Sequence, residues 1–355
     1  MNVHQFATSL VSGDAISDEM LEIRDILRSN GYTSEIFTHG YEPATARYVR
    51  DYREYKAISS PDNVLLFHFS IGSPVSKMAF RVPDRKIMIY HNITPHEFFL
   101  DNNRVLAREC YRGRLQLGLF KDKVALALGD SDFNRRELEA AGYAPTGVLP
   151  ILMNFGKFDG RADPVVTRLL AEPKTTILFV GRVIPNKRPE DVLKVFHIYQ
   201  KAFNPESRLI LAGDYRGQDR SLAALQDYVD RHGLKDVHLT GHTTFPELLA
   251  YYRAADVYLS MSEHEGFGVP LLEAFYQKIP VIALAAGAVE ETMNGGGILL
   301  RRKDIAGTAA LIDRLATDPA LRERIVAGQL EALKKYARPN VARVLLDHVA
   351  RVRQA

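Results

Sequence analysis

Tryptophan is absent and cysteine occurs once, as Cys110, in a chain of 355 residues. One cysteine excludes any internal disulfide and makes a reducing compartment the simplest environment. Cys110 falls in a helical pattern and reads as a small apolar filler. No stretch approaches the ~20 consecutive apolar residues that a membrane-crossing helix needs. A charged segment followed by an apolar one is missing at the N-terminus, so no secretory leader is expected. The expected location is the cytoplasm, with contact at the inner face of a membrane left open. The net charge of +3 is too small an excess to point to nucleic acid. Neither half carries G-x-G-x-x-G after its first strand, which speaks against an NAD-binding oxidoreductase.

What is present is an ordinary globular composition, 46% hydrophobic and 25% charged, in a length that suits two cores better than one. Strand-like apolar runs alternate with helical patterns along the whole chain, the mark of doubly wound α/β domains. In the first half the strands are Val3–Phe6, Tyr32–Phe37, Val64–Phe69, Lys86–Tyr90 and Val124–Gly129. A helical pattern runs from Phe98 to about Phe120, with Arg104, Arg108 and Arg112 four residues apart on one face, and Arg114, Lys121 and Lys123 extending the charge. That stripe is a solvated face, or else a contact for an anionic acceptor or lipid head groups. An irregular stretch from Pro145 to Pro173 reads as the linker. Domains are therefore expected at 1–160 and 161–335, with 336–355 as a closing helix. In the second half, Thr176–Val180, Arg208–Ala212, Val237–Gly241, Ala255–Ser260 and Pro280–Leu284 are the strands.

The chemistry concentrates where strands end, as it does in open parallel sheets. After Ala255–Ser260 comes Ser262-Glu263-His264-Glu265-Gly266-Phe267-Gly268-Val269-Pro270-Leu271-Leu272-Glu273. It reads as a glycine-bearing turn into a helix with proline in its first turn. Backbone N–H groups at such a turn suit an anion. Glu265 and Glu273 can accept hydrogen bonds from hydroxyls, and the combination suits a molecule with both phosphate and sugar rings. After the first strand of this half comes Gly181-Arg182-x4-Lys187, with two cations suited to a diphosphate. Gly13 marks the turn after the first strand of the chain. His68 and His91 sit at strand ends, His91 within His-Asn-Ile-Thr-Pro. Asp130-Ser131-Asp132 precedes a helix and reads as its cap, not as a metal-binding pair.

The segment His264-Glu265-Gly266-Phe267-Gly268-Val269-Pro270-Leu271-Leu272-Glu273-Ala274, together with Gly181-Arg182-x4-Lys187, resembles the signature of the retaining glycosyltransferases of family 4. The likeness extends over nearly the whole chain and is densest from Ile177 to Glu291. It implies the GT-B fold: α/β, two Rossmann-like doubly wound domains facing across a cleft, with the final helix crossing back to the first. It also implies roles. Glu273 would hold ribose hydroxyls, and Glu265 with the N–H groups of Gly266, Phe267 and Gly268 the transferring sugar. Arg182 and Lys187 would stabilise the departing diphosphate, with no metal required. His91 would lie near the reacting sugar, and Gly13, Ser131, Gly181, Gly241 and His242 would line the donor site.

The resemblance further implies a GDP-, UDP- or dTDP-linked hexose or deoxyhexose as donor, a glycan or lipid-linked acceptor in cell-surface polysaccharide synthesis, and no bound cofactor. Within the same fold a nucleotide-sugar epimerase, a phosphorylase or a non-catalytic nucleotide-sugar binding protein are the alternatives. A phosphorylase would need a lysine-bound pyridoxal phosphate, for which no site is evident.

Overall fold

The structure is a computed structural model and describes residues 2–354. It divides into two compact units. The first takes in the chain up to His96, Val105–Asn154 and the segment from Lys335 on, and the second Glu97–Arg104 and Phe155–Lys334.

The first unit contains β1 (Val3–Leu10), α1 (Ala15–Ser29), β2 (Ile36–Tyr41), β3 (Val49–Asp51), β4 (Val64–Phe69), α2 (Pro74–Arg81), β5 (Arg85–Tyr90), α3 (Arg104–Leu117), β6 (Leu126–Gly129), α4 (Asp132–Ala140) and β7 (Thr146–Val148). Its seven strands lie in the order β3-β2-β1-β4-β5-β6-β7, and every pair is parallel. The order reverses at β1 and β4, the point where such sheets open a crevice. Strands β4 and β5 are apolar without alternation because both faces of a parallel sheet are covered, and Leu65, Leu66, Ile87 and Ile89 are fully buried.

The second unit contains α5 (Pro164–Leu169), β8 (Thr175–Val180), α6 (Pro189–Ala202), β9 (Ser207–Ala212), α7 (Asp219–His232), β10 (Val237–Gly241), α8 (Phe245–Ala254), β11 (Val257–Ser260), α9 (Val269–Tyr276), β12 (Val281–Leu284), α10 (Val289–Met293), β13 (Ile298–Leu300), α11 (Ile305–Thr317) and α12 (Pro319–Leu333). Its six strands, again all parallel, run β10-β9-β8-β11-β12-β13, so the reversal falls between β8 and β11. Helix α13 (Arg338–Gln354) belongs to the first unit. Its buried Val341, Leu345 and Val349 recur every four residues and join the core that α1, β4 and β5 build. Burying each such side chain is worth ~1.5–3 kcal/mol.

The observed elements differ from the sequence reading in several places, among them the strand expected at Tyr32–Phe37, which runs Ile36–Tyr41. The strand expected at Val3–Phe6 runs on to Leu10. The helix expected from Phe98 starts only at Arg104, behind a short 3-10 turn at His96–Phe99. The stretch expected to be irregular from Pro145 to Pro173 holds β7 and α5. Three-residue strands and six-residue helices carry too few periods for a pattern to show.

Candidate active site

In the second unit Gly181, Arg182, Lys187, Glu265 and the turn to Glu273 lie beyond the carboxyl ends of β8 and β11, the two strands flanking the reversal, whereas Gly241 and His242 lie at the end of β10. Strand β8 ends in Gly181, whose amide bonds back to Ala212 O at 2.9 Å. A Cβ on Gly213 would lie 2.0 Å from Gly181 O. Gly213 thus lets the ends of β8 and β9 press together where a side chain would wedge them apart. From there the chain passes through exposed Arg182, and a 3-10 turn at Pro185–Lys187 presents Lys187.

Lys187 Nζ reaches both oxygens of Glu265, at 2.7 and 2.6 Å. The lysine and glutamate side chains are 21% and 10% exposed, so most of the pair is withdrawn from water. Asn186 locks the two loops together, donating from Nδ2 to His264 O (3.2 Å) and accepting at its own carbonyl from Glu263 N (2.8 Å). From the other side, Ala288 N donates to Glu265 O at 2.9 Å. A Cβ on Gly287 would stand 2.2 Å from that same carbonyl, and its φ of +57° is in any case one that side chains avoid. Glu265 is therefore held at its backbone carbonyl by Ala288 and at its side chain by Lys187, with the residues before it tied to Asn186.

Gly268 caps α9 in the left-handed region, with φ at +97°, and Pro270 occupies the first turn. Thr292 Oγ1 donates to Phe267 O at 2.6 Å, fixing the turn that precedes the helix. Glu273, buried in α9, accepts from the Tyr252 hydroxyl at 2.6 Å. Tyr258 lies between the two glutamates electrostatically. Burial, then Glu265, then Glu273 push its hydroxyl well above the usual tyrosine range, and it donates to Val180 O at 3.2 Å. Gly241 takes φ of +71° at the end of β10, against the Tyr215 ring, while His242 is exposed beside it. A separate groove of about 430 Å³ runs along α6 and α7. Two of its cations, Arg188 and Lys194, are already bonded to Asp191 at 3.0 Å each.

In the first unit, Gly13 turns the chain with φ of +77°, and Asp14 caps α1 by accepting from Ser17 N. Ser131 caps α4, accepting from Asn134 N at 3.2 Å. Asp130 takes no part in that cap, contrary to the sequence reading. Its Oδ2 lies 3.1 Å from His91 Nδ1. His91 Nε2 in turn faces His68 Nδ1 at 2.9 Å. The His91 side chain is only 2% exposed, so both ring nitrogens are spent on protein partners. Burial alone would lower its pKa, but Asp130 and Glu19 outweigh burial and raise it to about 9. Glu19, His68 and His91 place atoms within 4.8 Å of one another, as a metal site would. The two imidazoles, however, are turned on each other rather than on a shared point. Arg114 does not extend the basic stripe, since it bonds Glu137 Oε1 at 2.6 Å, whereas Arg104, Arg108 and Arg112 are exposed.

Sequence reasoning missed Tyr252, Asn186 and Gln5. Tyr252 lies in a helix that shows only an aromatic pair, and the other two are single amides whose partners sit tens of residues away.

Comparison with known proteins places these residues in context. Residues 167–330 match the model of the family described as Glycosyl transferases group 1. A D-inositol 3-phosphate glycosyltransferase of Thermomonospora curvata is 34% identical over 182 residues, 49% of this chain and 42% of that protein. The serotype-specific mannosyltransferase WbdA of Escherichia coli is 23% identical over 368 residues, 96% of this chain and 44% of that protein. The chain thus spans less than half the length of these curated relatives. Among solved structures, sucrose-phosphate synthase from Thermosynechococcus elongatus superposes with a TM-score of 0.76 at 17% identity, covering 99% of this chain and 98% of that one. Anabaena HepE in complex with UDP-glucose gives 0.75 at 16% identity, covering 99% of each chain. At such identities the likeness establishes the fold, which is GT-B.

Proposed function

We propose that this chain, whose residues 167–330 match the model of the group 1 glycosyltransferases, moves a hexose or deoxyhexose from a nucleotide-sugar donor to a hydroxyl of a glycan or lipid-linked acceptor, with retention at the anomeric carbon. The observation that carries the reading is the Lys187–Glu265 pair at the sheet reversal of the second unit, with Glu273 one helix turn inside the following helix. Cation and carboxylate at one point suit a ligand whose phosphate and hydroxyl groups are neighbours.

Glu273, aimed by the Tyr252 hydroxyl, takes the ribose hydroxyls. Glu265 and the turn Gly266–Gly268 take the sugar. Lys187 keeps one N–H beyond the two given to Glu265, and that donor, with the Arg182 guanidinium, meets the diphosphate. The bond from the anomeric carbon to the diphosphate oxygen breaks as the acceptor oxygen bonds to the same carbon from the same face. The electron pair leaves with the phosphate, which also takes the acceptor proton. Negative charge therefore grows on the diphosphate in the transition state, where preorganised cations are worth most, and we assign no step to a metal ion. Arg104, Arg108 and Arg112 are the candidate contact for an anionic acceptor or a membrane surface. Among the described residues no helix is long and apolar enough to cross a membrane. The proposed setting is the cytoplasm, in assembly of surface polysaccharide.

The test is a screen of GDP-, UDP- and dTDP-sugars that follows nucleotide release with and without candidate acceptors. Acceptor-dependent release is expected. Isomerised donor without nucleotide release would instead make the protein an epimerase. Near-normal turnover in both Lys187→Ala and Glu265→Ala would remove the roles given to those residues.

A further inference from the structure

A row of polar side chains crosses four adjacent strands of the first unit, unused by the scheme above. Gln5 on β1, His68 on β4, His91 just beyond β5 and Asp130 just beyond β6 follow the order of the strands in the sheet, and Glu19 of α1 lies against them. The direction of each hydrogen bond follows from its neighbour. Gln5 Nε2 donates to Met20 O at 3.0 Å, which turns Gln5 Oε1 toward His68 Nε2, also at 3.0 Å. An amide oxygen only accepts, so His68 Nε2 carries hydrogen. A neutral imidazole has one N–H, and His68 Nδ1 is then a lone pair. His91 Nε2, 2.9 Å from it, must donate. His91 Nδ1 faces two carboxylates, Asp130 Oδ2 at 3.1 Å and Glu19 Oε2 at 3.8 Å, and donates as well.

We infer that Gln5, acting through His68, sets the protonation of His91 and holds it as an imidazolium, a fixed cation and not a proton acceptor. Gln5 and His68 are positioning residues in this arrangement. Placing the extra proton on His68 instead would put the charge beside an amide, away from the acids. Burial and the His91 charge indeed hold His68 well below the usual histidine range. The charged or titratable groups facing His91 are Asp14 and Glu19 from α1, His68 from β4, and Asp130 beyond β6. Burial pushes the carboxyls of both Glu19, to about 8, and Asp130 upward, and the His91 charge pulls both back down.

For the proposed glycosyl transfer, the acceptor proton cannot go to His91. That consequence rests on the functional reading, whereas the proton assignment does not. Nitrogen NMR of the full chain, with His91 assigned by the loss of its signals in His91→Gln, separates the two. Expected at pH 7 are one histidine protonated on both nitrogens and, for His68, a neutral ring with hydrogen on Nε2. Gln5→Met removes the acceptor and lets His68 carry its hydrogen on Nδ1. The His91 titration midpoint should then fall by about one pH unit or more, and Gln5→Glu, which restores an acceptor, should reverse the fall. An unprotonated His91 nitrogen in the unaltered chain, or an unmoved midpoint in folded Gln5→Met, overturns the inference. If the spectra behave as expected but Gln5→Met adds no new pH-dependent limb to donor turnover, the assignment stands and the functional role of His91 fails.

Discussion

Removing Lys187 tests the second unit most sharply, because Glu265 then loses the one cation bonded to it among the described residues. Exposed ion pairs contribute ~0–1 kcal/mol, while orphaning one member of a buried pair costs ~3–5 kcal/mol. With the lysine 21% and the glutamate 10% exposed, the pair lies nearer the second limit, and Lys187→Met should destabilise the fold by ~2–3 kcal/mol. Lys187→Met with Glu265→Leu removes both charges and leaves no orphan. The double variant should cost less than the sum of the singles by ~1–2 kcal/mol. Urea denaturation followed by circular dichroism measures all four corners of this cycle, and the chain has no tryptophan to serve as a fluorescence reporter. Turnover is measured separately at a temperature where every variant is folded, and Lys187→Met should lose ~10²–10³-fold. Single variants within ~0.5 kcal/mol of the parent and strictly additive would refute the claim that this pair is withdrawn from water and organises the site.

Gly213→Ala should be far more damaging than Gly13→Ala. The first drives a Cβ to 2.0 Å from the Gly181 carbonyl, while the second meets nothing within 4 Å and carries only the ~1 kcal/mol cost of its positive φ. Thermal melts of the two side by side decide it, and equal losses would contradict the packing described. Tyr252→Phe takes a 2.6 Å hydrogen bond from Glu273, worth ~1.5–3 kcal/mol when the acceptor is charged. It should raise KM for the donor more than it lowers kcat, and an unchanged KM would detach Glu273 from ribose. The first unit should lose stability as pH rises from about 6.5 to about 9. His91 is pulled up to about 9 in the fold from an unfolded value of about 6.5. Its stabilising contribution is therefore full below the lower figure and gone above the higher. Glu19, held up to about 8 by burial, acts in the same direction. Urea midpoints at about pH 6 and about pH 9 should differ in the parent, less in His91→Gln, where Glu19 still titrates, and least in the double variant His91→Gln with Glu19→Gln.

How much of this could be read from the sequence depended on the range of the interaction. Glu265-x7-Glu273 and Gly181-Arg182-x4-Lys187 were legible because each is one turn with its flanking strand and helix, specified by neighbours in the chain. The bond between them was not, since Lys187 and Glu265 stand 78 residues apart. Their assignment to different parts of the donor gave no hint that they hold each other. Strand existence was legible from apolar runs, but the strand order β1-β4-β5-β6 was not. That order alone brings Gln5, His68, His91 and Asp130 into a row. Asp130 looked like a cap because it precedes a helix, and in the structure the cap is Ser131, one residue on, while Asp130 faces the sheet.

The two units meet the same physical problem, charged groups at the reversal of a parallel sheet, with opposite solutions. In the first unit the charge is internal: His91 is enclosed by Asp130 and Glu19, and neither ring nitrogen can turn to a ligand without breaking the row. In the second unit the charge is only half satisfied, because Glu265 takes two bonds from an ammonium that has three. Arg182, earlier on the same loop as Lys187, is exposed with no ion pair within 4 Å among the described residues. On the proposed reading, an anionic ligand at β8 and β11 would meet Arg182 without displacing an ion pair, and Lys187 without taking it from Glu265. Gly213 and Gly287 let the backbones approach closely here, since a Cβ on either would stand 2.0 or 2.2 Å from a backbone carbonyl. In the proposed reaction, cations already in place would lose little to reorganisation when charge develops on the leaving group. On the same reading the second unit responds to charge arriving from outside, whereas the first keeps its own charge fixed.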